Sequence, residues 1–368
     1  MRVLVTVNDA YGHILPLVPT VQELIRRRHD VLMACPGGTL NRLSLDGLRT
    51  CRYVPVETAP LPIGPPPRDR IVERLAFSVH LAWPNVARGW AGQLLEDARR
   101  FRPDLVICEP VEHAGRVVAA ALGVPFVEHG WGFTLPVGTD VTAAHGLADL
   151  YQTTGTTYQE PSLRVDLGSA ALQASDIDQA IERYRYVAWS PPTELLAPPG
   201  LKPRVLVTLG TFPKPGAAER LQQAVGAATE LDAELVVVLG NEDRRSLDGW
   251  PSGVTVREWV DLPAEITRCA LVVHHGGAGT SWATLLAGVP AVCLPQSGDQ
   301  FRNGERLAGV GAATVVMPDA MDALTLRRAC SQALADPSLA AGADRVRRSN
   351  DSLPPTAALV DRLEMIRR

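Results

Sequence analysis

No uncharged apolar run in this sequence reaches the roughly 20 residues that a membrane-spanning helix needs. The opening MRVLVTV also lacks the order of basic stretch, apolar core and small-residue cleavage site that marks a secretory leader, so the cytoplasm is the expected compartment. Cysteine is sparse. The six residues Cys35, Cys51, Cys108, Cys269, Cys293 and Cys330 form no C-x-x-C pair, and several sit in apolar runs such as LVICEP and VPAVCLP. Buried, reduced thiols are expected, with neither a zinc site nor a disulfide scaffold. Positive charge is not in excess either: the net charge is -4 and the isoelectric point about 6.1, which gives no electrostatic case for a nucleic-acid partner. The basic clusters at Arg26, Arg27 and Arg28 and at Arg345, Arg347 and Arg348 read as solvated helix faces. No short repeat signals a solenoid. No heptad or apolar stripe demands a coiled-coil partner, which leaves monomer and homodimer both open.

What is present is ordinary globular composition, 46% hydrophobic and 21% charged, in a chain of 368 residues. That length exceeds what one core normally serves, so two domains are expected. The chain begins with a strand over Arg2 to Val7, a short loop NDAYGH, a helix from about Pro16 to Arg28 and an apolar run DVLMACP. This is the start of a parallel α/β unit. PLPIGPPPRDR reads as a proline-rich surface loop that could edge a binding site. A helical stretch with Trp83 and Trp90 follows, then strand DLVICEP, a helix around Arg116 to Leu122 and strand PFVEHG. Five prolines between Pro191 and Pro203 mark an interdomain linker. Beyond it the pattern restarts with strand RVLVTLG, helix Ala217 to Leu231, strands AELVVVLG and VTVREWV, and a helix-like LPAEITRC. Strand LVVHH, a glycine turn, helix Ser281 to Ala287 and strand PAVCLP complete it. The expected fold is α/β, two Rossmann-like doubly wound domains facing each other across a cleft, with ligands beyond the carboxyl ends of the strands. The expected boundaries are 1–190, a linker 191–203, 204–351, and a last helical segment 352–368. Two tandem units on one larger sheet are the alternative.

The strongest local feature is LVVHHGGAGTSWATLLAGVP. An apolar strand runs into two histidines and three glycines, then into a helix. Glycines let a turn lie flat against a ligand, and the N–H groups that open the helix converge on an anion. Gly276, Gly277, Gly279 and the Thr280 hydroxyl are the candidate contacts. The pattern is neither the Rossmann G-x-G-x-x-G nor a lysine-bearing phosphate loop, so a histidine takes the lysine's place. A second cluster, PQSGDQFRN, puts Asp299 and Gln300 just past the next strand. A carboxylate beside an amide suits a polyhydroxylated ligand, although loop capping accounts for the pair equally well. The third feature is His13, at the end of the first loop, with Glu109 and Glu112 near the end of a neighbouring strand. A histidine held by a carboxylate is a general base; a helix-start hydrogen bond is the competing account.

These residues together resemble the bacterial natural-product glycosyltransferases of the two-Rossmann-domain (GT-B) class, in the inverting UDP-glycosyltransferase-like superfamily. GHILPLVP at 12 to 19, LVTLGT at 206 to 211, HHGGAGTSWATLLAGVPAVCLPQSGDQ at 274 to 300 and AGVGAA at 308 to 313 carry the likeness. The resemblance implies an acceptor-binding N-terminal domain, a nucleotide-sugar-binding C-terminal domain and a last helix crossing back to the first. By position, His13 matches the general base and Glu109 is the nearest match to its orienting carboxylate, with Glu112 in reserve. His275 matches the diphosphate-contacting histidine, Gly279 and Thr280 the phosphate contacts, and Thr211 a further phosphate or cleft contact. Asp299 and Gln300 match the pair that holds sugar hydroxyls, and Trp259 and Val260 the segment against the nucleobase. The chain departs from the family where proline-glutamine usually follows that segment, having Asp261 and Leu262. Its orienting carboxylate is also a Glu where an Asp is usual.

The expected reaction is metal-independent, inverting transfer of a hexose or deoxyhexose from a nucleoside-diphosphate sugar, dTDP-linked by expectation. The acceptor is the hydroxyl of a small apolar or aromatic natural product. No metal-holding D-x-D accompanies the glycine turn, and no cofactor beyond the donor substrate is implied. Trp131 and Phe133 in GWGF are acceptor-side candidates, as are His113 and His129. Three other readings stay open: C-glycosylation of an aromatic polyketide, a nucleotide-sugar epimerase, and a catalytically inactive activator of a glycosyltransferase.

Overall fold

The sequence alternates apolar strands with amphipathic helices, and strands covered on both faces read as nearly unbroken Val, Leu and Ile runs. In the computed structural model such runs assemble into two parallel sheets. The residues described are 1–43, 45–53, 61, 77–136, 138–173, 180–211, 216–240 and 253–366. Nearly all of the proline-rich stretch at 60–70 lies outside them.

The first sheet comprises β1 (Arg2–Thr6), β2 (Asp30–Cys35), β3 (Arg49–Arg52), β4 (Leu105–Cys108), β5 (Phe126–His129), β6 (Leu163–Leu167) and β7 (Glu182–Tyr184). Their order is β3-β2-β1-β4-β5-β6-β7. The second comprises β8 (Arg204–Thr208), β9 (Glu234–Val238), β10 (Val254–Arg257), β11 (Leu271–His274), β12 (Ala291–Cys293) and β13 (Ala313–Val315), in the order β10-β9-β8-β11-β12-β13. Each order reverses direction beside a central strand. In the first sheet Leu4 of β1 pairs with Leu32 on one side and Val106 on the other. In the second, Leu206 of β8 pairs with Val236 and Val272. Both are doubly wound sheets, and at each reversal two strand ends point loops to the same place.

Period-two alternation distributes the core. Val205 and Val207 face a cluster with Leu221, Val225 and Leu326, while Leu206 faces Val260, Ile266 and Val289 on the opposite side. In the first sheet Leu4 and Val106 pack with Trp90, Leu94, Val117 and Phe126.

The chain divides into two compact units. Unit 1 takes the described residues within Met1–Gly168, Ala174–Val187 and Leu353–Arg368, and unit 2 those within Ser169–Gln173 and Ala188–Ser352. The proline-rich segment after Pro191 contains no helix or strand, yet unit 2 fastens it. Glu265 accepts from Leu196 N at 2.5 Å, Arg268 donates to Leu196 O at 2.6 Å, and Arg204 donates to Ala197 O at 2.7 Å.

Several element ends differ from the sequence reading. The first long helix is three pieces, Tyr11–Ile14, a 3-10 turn Leu15–Leu17 and Val18–Arg26, because Pro16 and Pro19 each lack the N–H an unbroken helix would use. It stops at Arg26, and Arg28 turns the chain with a left-handed φ of 63°. The second helix begins at Ala114 rather than Arg116, and the one after the glycine turn at Ala278 rather than Ser281. The solvated reading fits Arg26, whose side chain is 70% exposed, but not Arg27 at 19%. Arg27 donates to Asp361 at 2.5 Å and to Ala357 O at 2.8 Å, and so pins helix Thr356–Glu364 onto unit 1.

Candidate functional site

In unit 1 the chain leaves β1 through Val7 and Asn8 and turns into the short helix that carries His13. Its Nδ1 lies 2.9 Å from Glu109 Oε1, and the Glu109 side chain, one residue beyond β4, is 0% exposed. Glu109 is saturated with donors. Val111 N donates to Oε2 at 2.8 Å, and Asn8 donates to Oε1 from Nδ2 at 2.7 Å and from its backbone N at 3.3 Å. A carboxylate so placed accepts from His13 Nδ1–H, which makes Nε2 the basic nitrogen. On its other side the imidazole meets Trp131, ring centroids 4.8 Å apart and planes at 66°.

Trp131 belongs to the turn after β5. Asp166 holds that turn by accepting from Gly132 N at 2.8 Å and from the Thr134 hydroxyl, with Arg183 at 3.5 Å. Trp131 and Phe133 are 8% and 4% exposed. His113 is buried where helix Ala114–Leu122 begins. His129 is fully buried, with Thr20 Oγ1 and Gly130 O each 2.9 Å from a ring nitrogen, and burial lowers its pKa.

The two glutamates divide their work. Glu112 faces away from His13's partner set: it accepts from Thr6 Oγ1, from Ala114 N at 2.6 Å and from Gly115 N at 3.0 Å. Those N–H groups open helix Ala114–Leu122, so Glu112 is that helix's own cap. Burial pushes its carboxyl up to about 7.

In unit 2, β11 ends at His274, level with Thr208 of β8 and Cys293 of β12. His274 is fully buried, and its Nδ1 accepts from Gly276 N at 3.0 Å. Burial lowers its pKa to about 4, so it is a neutral brace for the turn. His275 is half-buried between two backbones. A Cβ on Gly277 would stand 2.3 Å from its Nε2, and one on Gly210, φ 83°, 2.5 Å from its Cε1. The LGT and HGG turns therefore meet around the imidazole only because both residues are glycine. Helix Ala278–Leu286 starts with Gly277 as N-cap and no side-chain cap. Its first N–H groups, at Ala278, Gly279 and Thr280, converge where an anion would sit. Thr211, the last residue of LGT, is half-buried.

Past β12, Gln300 Oε1 accepts from Gln296 N at 2.9 Å and Ser297 N at 3.3 Å. Its carbonyl thus closes the loop, and the group it can offer a ligand is its NH2. Asp299 is exposed, and Asn303 joins it to the glycine turn by donating to Asp299 Oδ2 at 2.8 Å and to Gly276 O at 3.0 Å. Trp259 is half-buried and Val260 is buried in the core beside Ile266. Sequence reasoning missed Asn8 and Asn303. The second carried a signal: it lies one helical turn after Asp299, at the i,i+4 spacing that lets side chains meet.

No group of three or more His, Cys, Asp or Glu among the described residues has the arrangement to hold a metal ion. No helix among them is long and apolar enough to cross a membrane.

Residues 84–210 match the N-terminal domain of the erythromycin biosynthesis protein CIII-like family, and residues 222–366 match its C-terminal domain. The chain is 32% identical to the elloramycin glycosyltransferase ElmGT of Streptomyces olivaceus, over 99% of this chain and 97% of that protein. It belongs to the bacterial natural-product glycosyltransferases of the GT-B class. The L-demethylnoviosyl transferase of Streptomyces niveus is also 32% identical, over 99% of this chain and 97% of that one. Among solved structures, the spinosyn rhamnosyltransferase SpnG complexed with thymidine diphosphate superposes with a TM-score of 0.85. It shares 28% identity and covers 99% of this chain and 100% of its own. Within the glycosyltransferase family match, Glu109, His113, Trp131 and Phe133 fall in the N-terminal stretch, and Trp259 through Gln300 in the C-terminal one. Asn8 and His13 precede both.

Proposed function

We propose that this member of the family transfers a deoxyhexose or hexose from a thymidine-diphosphate sugar to a hydroxyl of a small aromatic or apolar natural product, with inversion and without a metal. The observation that carries the reading is the 2.9 Å approach of His13 Nδ1 to a fully buried Glu109. A carboxylate that fixes the tautomer and supports the imidazolium makes Nε2 a general base. In this reading the acceptor hydroxyl gives its proton to His13 as its oxygen attacks the anomeric carbon, and the nucleoside diphosphate leaves from the opposite face. His275 and the N–H groups at Gly279 and Thr280 receive the leaving charge, a preorganised donor set of the kind that contributes most to such barriers. Gly276 and Gly277 let the diphosphate lie against the backbone. Asp299 and the Gln300 NH2 take sugar hydroxyls, and Trp259 with the backbone of Val260 takes the base. Trp131, Phe133 and His113 line the acceptor side. The named relatives, sugar transferases acting in natural-product pathways, and thymidine diphosphate in the spinosyn enzyme support the choice of donor.

Calorimetric titration with thymidine diphosphate and uridine diphosphate, with and without chelator, tests the donor half. Thymidine diphosphate is expected to bind, indifferent to chelator, and about tenfold or more weaker to His275→Ala. If neither nucleotide binds the wild-type protein, the donor assignment falls and a catalytically inactive partner becomes the better reading.

A further inference from the structure

A glutamate in place of the family's aspartate adds one sp3–sp3 torsion between backbone and carboxylate, ahead of a terminal sp3–sp2 bond whose rotation is broad and nearly two-fold. Left to itself such a carboxylate would present its oxygens to His13 in many orientations. The structure supplies a clamp. Asn8 Nδ2 spends one N–H on Glu109 Oε1 at 2.7 Å and the other on Val111 O at 3.1 Å, while Val111 N returns to Glu109 Oε2 at 2.8 Å. The three groups close a ring of hydrogen bonds that fixes the plane of the carboxylate. The orientation of the Asn8 amide is fixed as well, since a flip would set its oxygen against two acceptors. Its backbone is tied too: Asn8 O accepts from Ala10 N at 2.8 Å, and its own N–H reaches Glu109 Oε1 at 3.3 Å.

We propose that Asn8 is the positioning residue of the His13–Glu109 pair, locking the Glu109 carboxylate so that His13 is held as the tautomer protonated on Nδ1. Asn8 does not touch the reacting atoms; it acts through Glu109. The proposal rests on the reading of His13 as the base. It explains how the longer side chain can serve: the extra torsion is removed by a residue from the loop that also carries His13, so the histidine and its acceptor share one frame.

The test reads the imidazole directly. Long-range proton–nitrogen spectra of the protein labelled with 15N-histidine, with His13 assigned by its loss in His13→Gln, separate the two tautomers at a pH where the ring is neutral. The wild type is expected to show the Nδ1–H pattern alone. Asn8→Ala, and the isosteric Asn8→Asp that removes the donor while keeping the shape, are expected to show a mixture. Glu109→Gln should lose the Nδ1–H pattern as well, and adding Asn8→Ala to it should change nothing further. Turnover with a thymidine-diphosphate sugar and a planar phenol should fall about tenfold in kcat for Asn8→Ala, with KM for the donor within about twofold. The proposal is overturned if either folded variant keeps the single Nδ1–H pattern, or if Asn8→Ala adds its full effect to Glu109→Gln. Wild-type turnover in His13→Ala would sink the reading of His13 as base instead, whatever the tautomer spectra show.

Discussion

β1 and β8 are the same pentapeptide, Arg-Val-Leu-Val-Thr, and each is the third strand of its doubly wound sheet, where the strand order reverses. The helix that follows the neighbour of each, β4 or β11, begins in the same topological place. There the likeness ends. In unit 1 the opening N–H groups of Ala114 and Gly115 are filled by Glu112, the fifth residue of the stretch CEPVEHAG. In unit 2 the equivalent loop reads HHGGAGT, and its N-cap is Gly277, which has no side chain to cap the helix. One frame thus carries two opposite electrostatic fittings. Where the chain supplies its own carboxylate, the helix end is closed to outside anions and its neighbour Glu109 is released to serve a histidine. Where glycine stands instead of that carboxylate, the N-cap brings no side chain to the helix end, which is what the proposed phosphate site requires.

Filling the open helix end should erase the difference. Thr280→Asp sets a carboxylate in the first turn of that helix, and thymidine diphosphate binding is expected to weaken about 100-fold or more by calorimetry. Unchanged affinity would show that the diphosphate does not use this helix. The second comparison is steric. Gly210→Ala meets both a left-handed φ and the His275 ring at 2.5 Å, and should lower stability by roughly 3 kcal/mol in urea titration. Gly12→Ala, beside His13 with nothing within 4 Å of the added carbon, should stay within about 0.5 kcal/mol. Equal losses would mean that the glycines of the two loops do the same job.

The smallest effect concerns the closed end and its pH dependence. Burial raises Glu112 from 4.5 to about 7, so between those values the folded protein binds more protons at this site than the unfolded chain does. Its contribution to stability is then fully present below pH 4.5 and declines as pH rises through 7. Glu112→Gln cannot titrate, and its single carbonyl cannot replace two accepting oxygens, so it should be less stable throughout. The gap to wild type, from urea midpoints at pH 5 and pH 8, should narrow at the higher pH. A gap that widens instead would assign Glu112 the opposite shift.

Much of this arrangement was legible in the residues. RVLV at 2–5 and RVLVTLG at 204–210 each read as a strand, though their place in the sheet order did not. HHGGAGT announces an uncapped helix end, because glycine and histidine at a strand terminus leave nothing else to occupy it. His13 with a carboxylate was legible as a pair; the residues alone left Glu109 and Glu112 open, and the resemblance put Glu109 first, which is the carboxylate that His13 meets. Both are buried glutamates past one strand, and only their distances to the helix start separate them. Glu112, two and three residues ahead of the N–H groups it takes, stands where a capping side chain stands. Asn8 was not legible at all, since its value depends on which strand lies beside β1, a long-range pairing that no local pattern encodes. Arg27 misled for the same reason. A run of three arginines at a helix end looks solvated until another helix, more than 300 residues later, docks against it.

That late helix bears on the order in which the chain acquires structure. Unit 2 has its last residue at Ser352, whereas unit 1, begun first, still lacks Thr356–Glu364 and the partners it gives to Arg27 and His29. Synthesis runs from the amino end and domains tend to fold as they emerge, so here the unit started first is finished last. Until then its open edge along helix Val18–Arg26 leaves Arg27 without Asp361 and the apolar residues of that face in water. Unit 1 is therefore a late-maturing part, and removing helix Thr356–Glu364 should injure the half that was translated first.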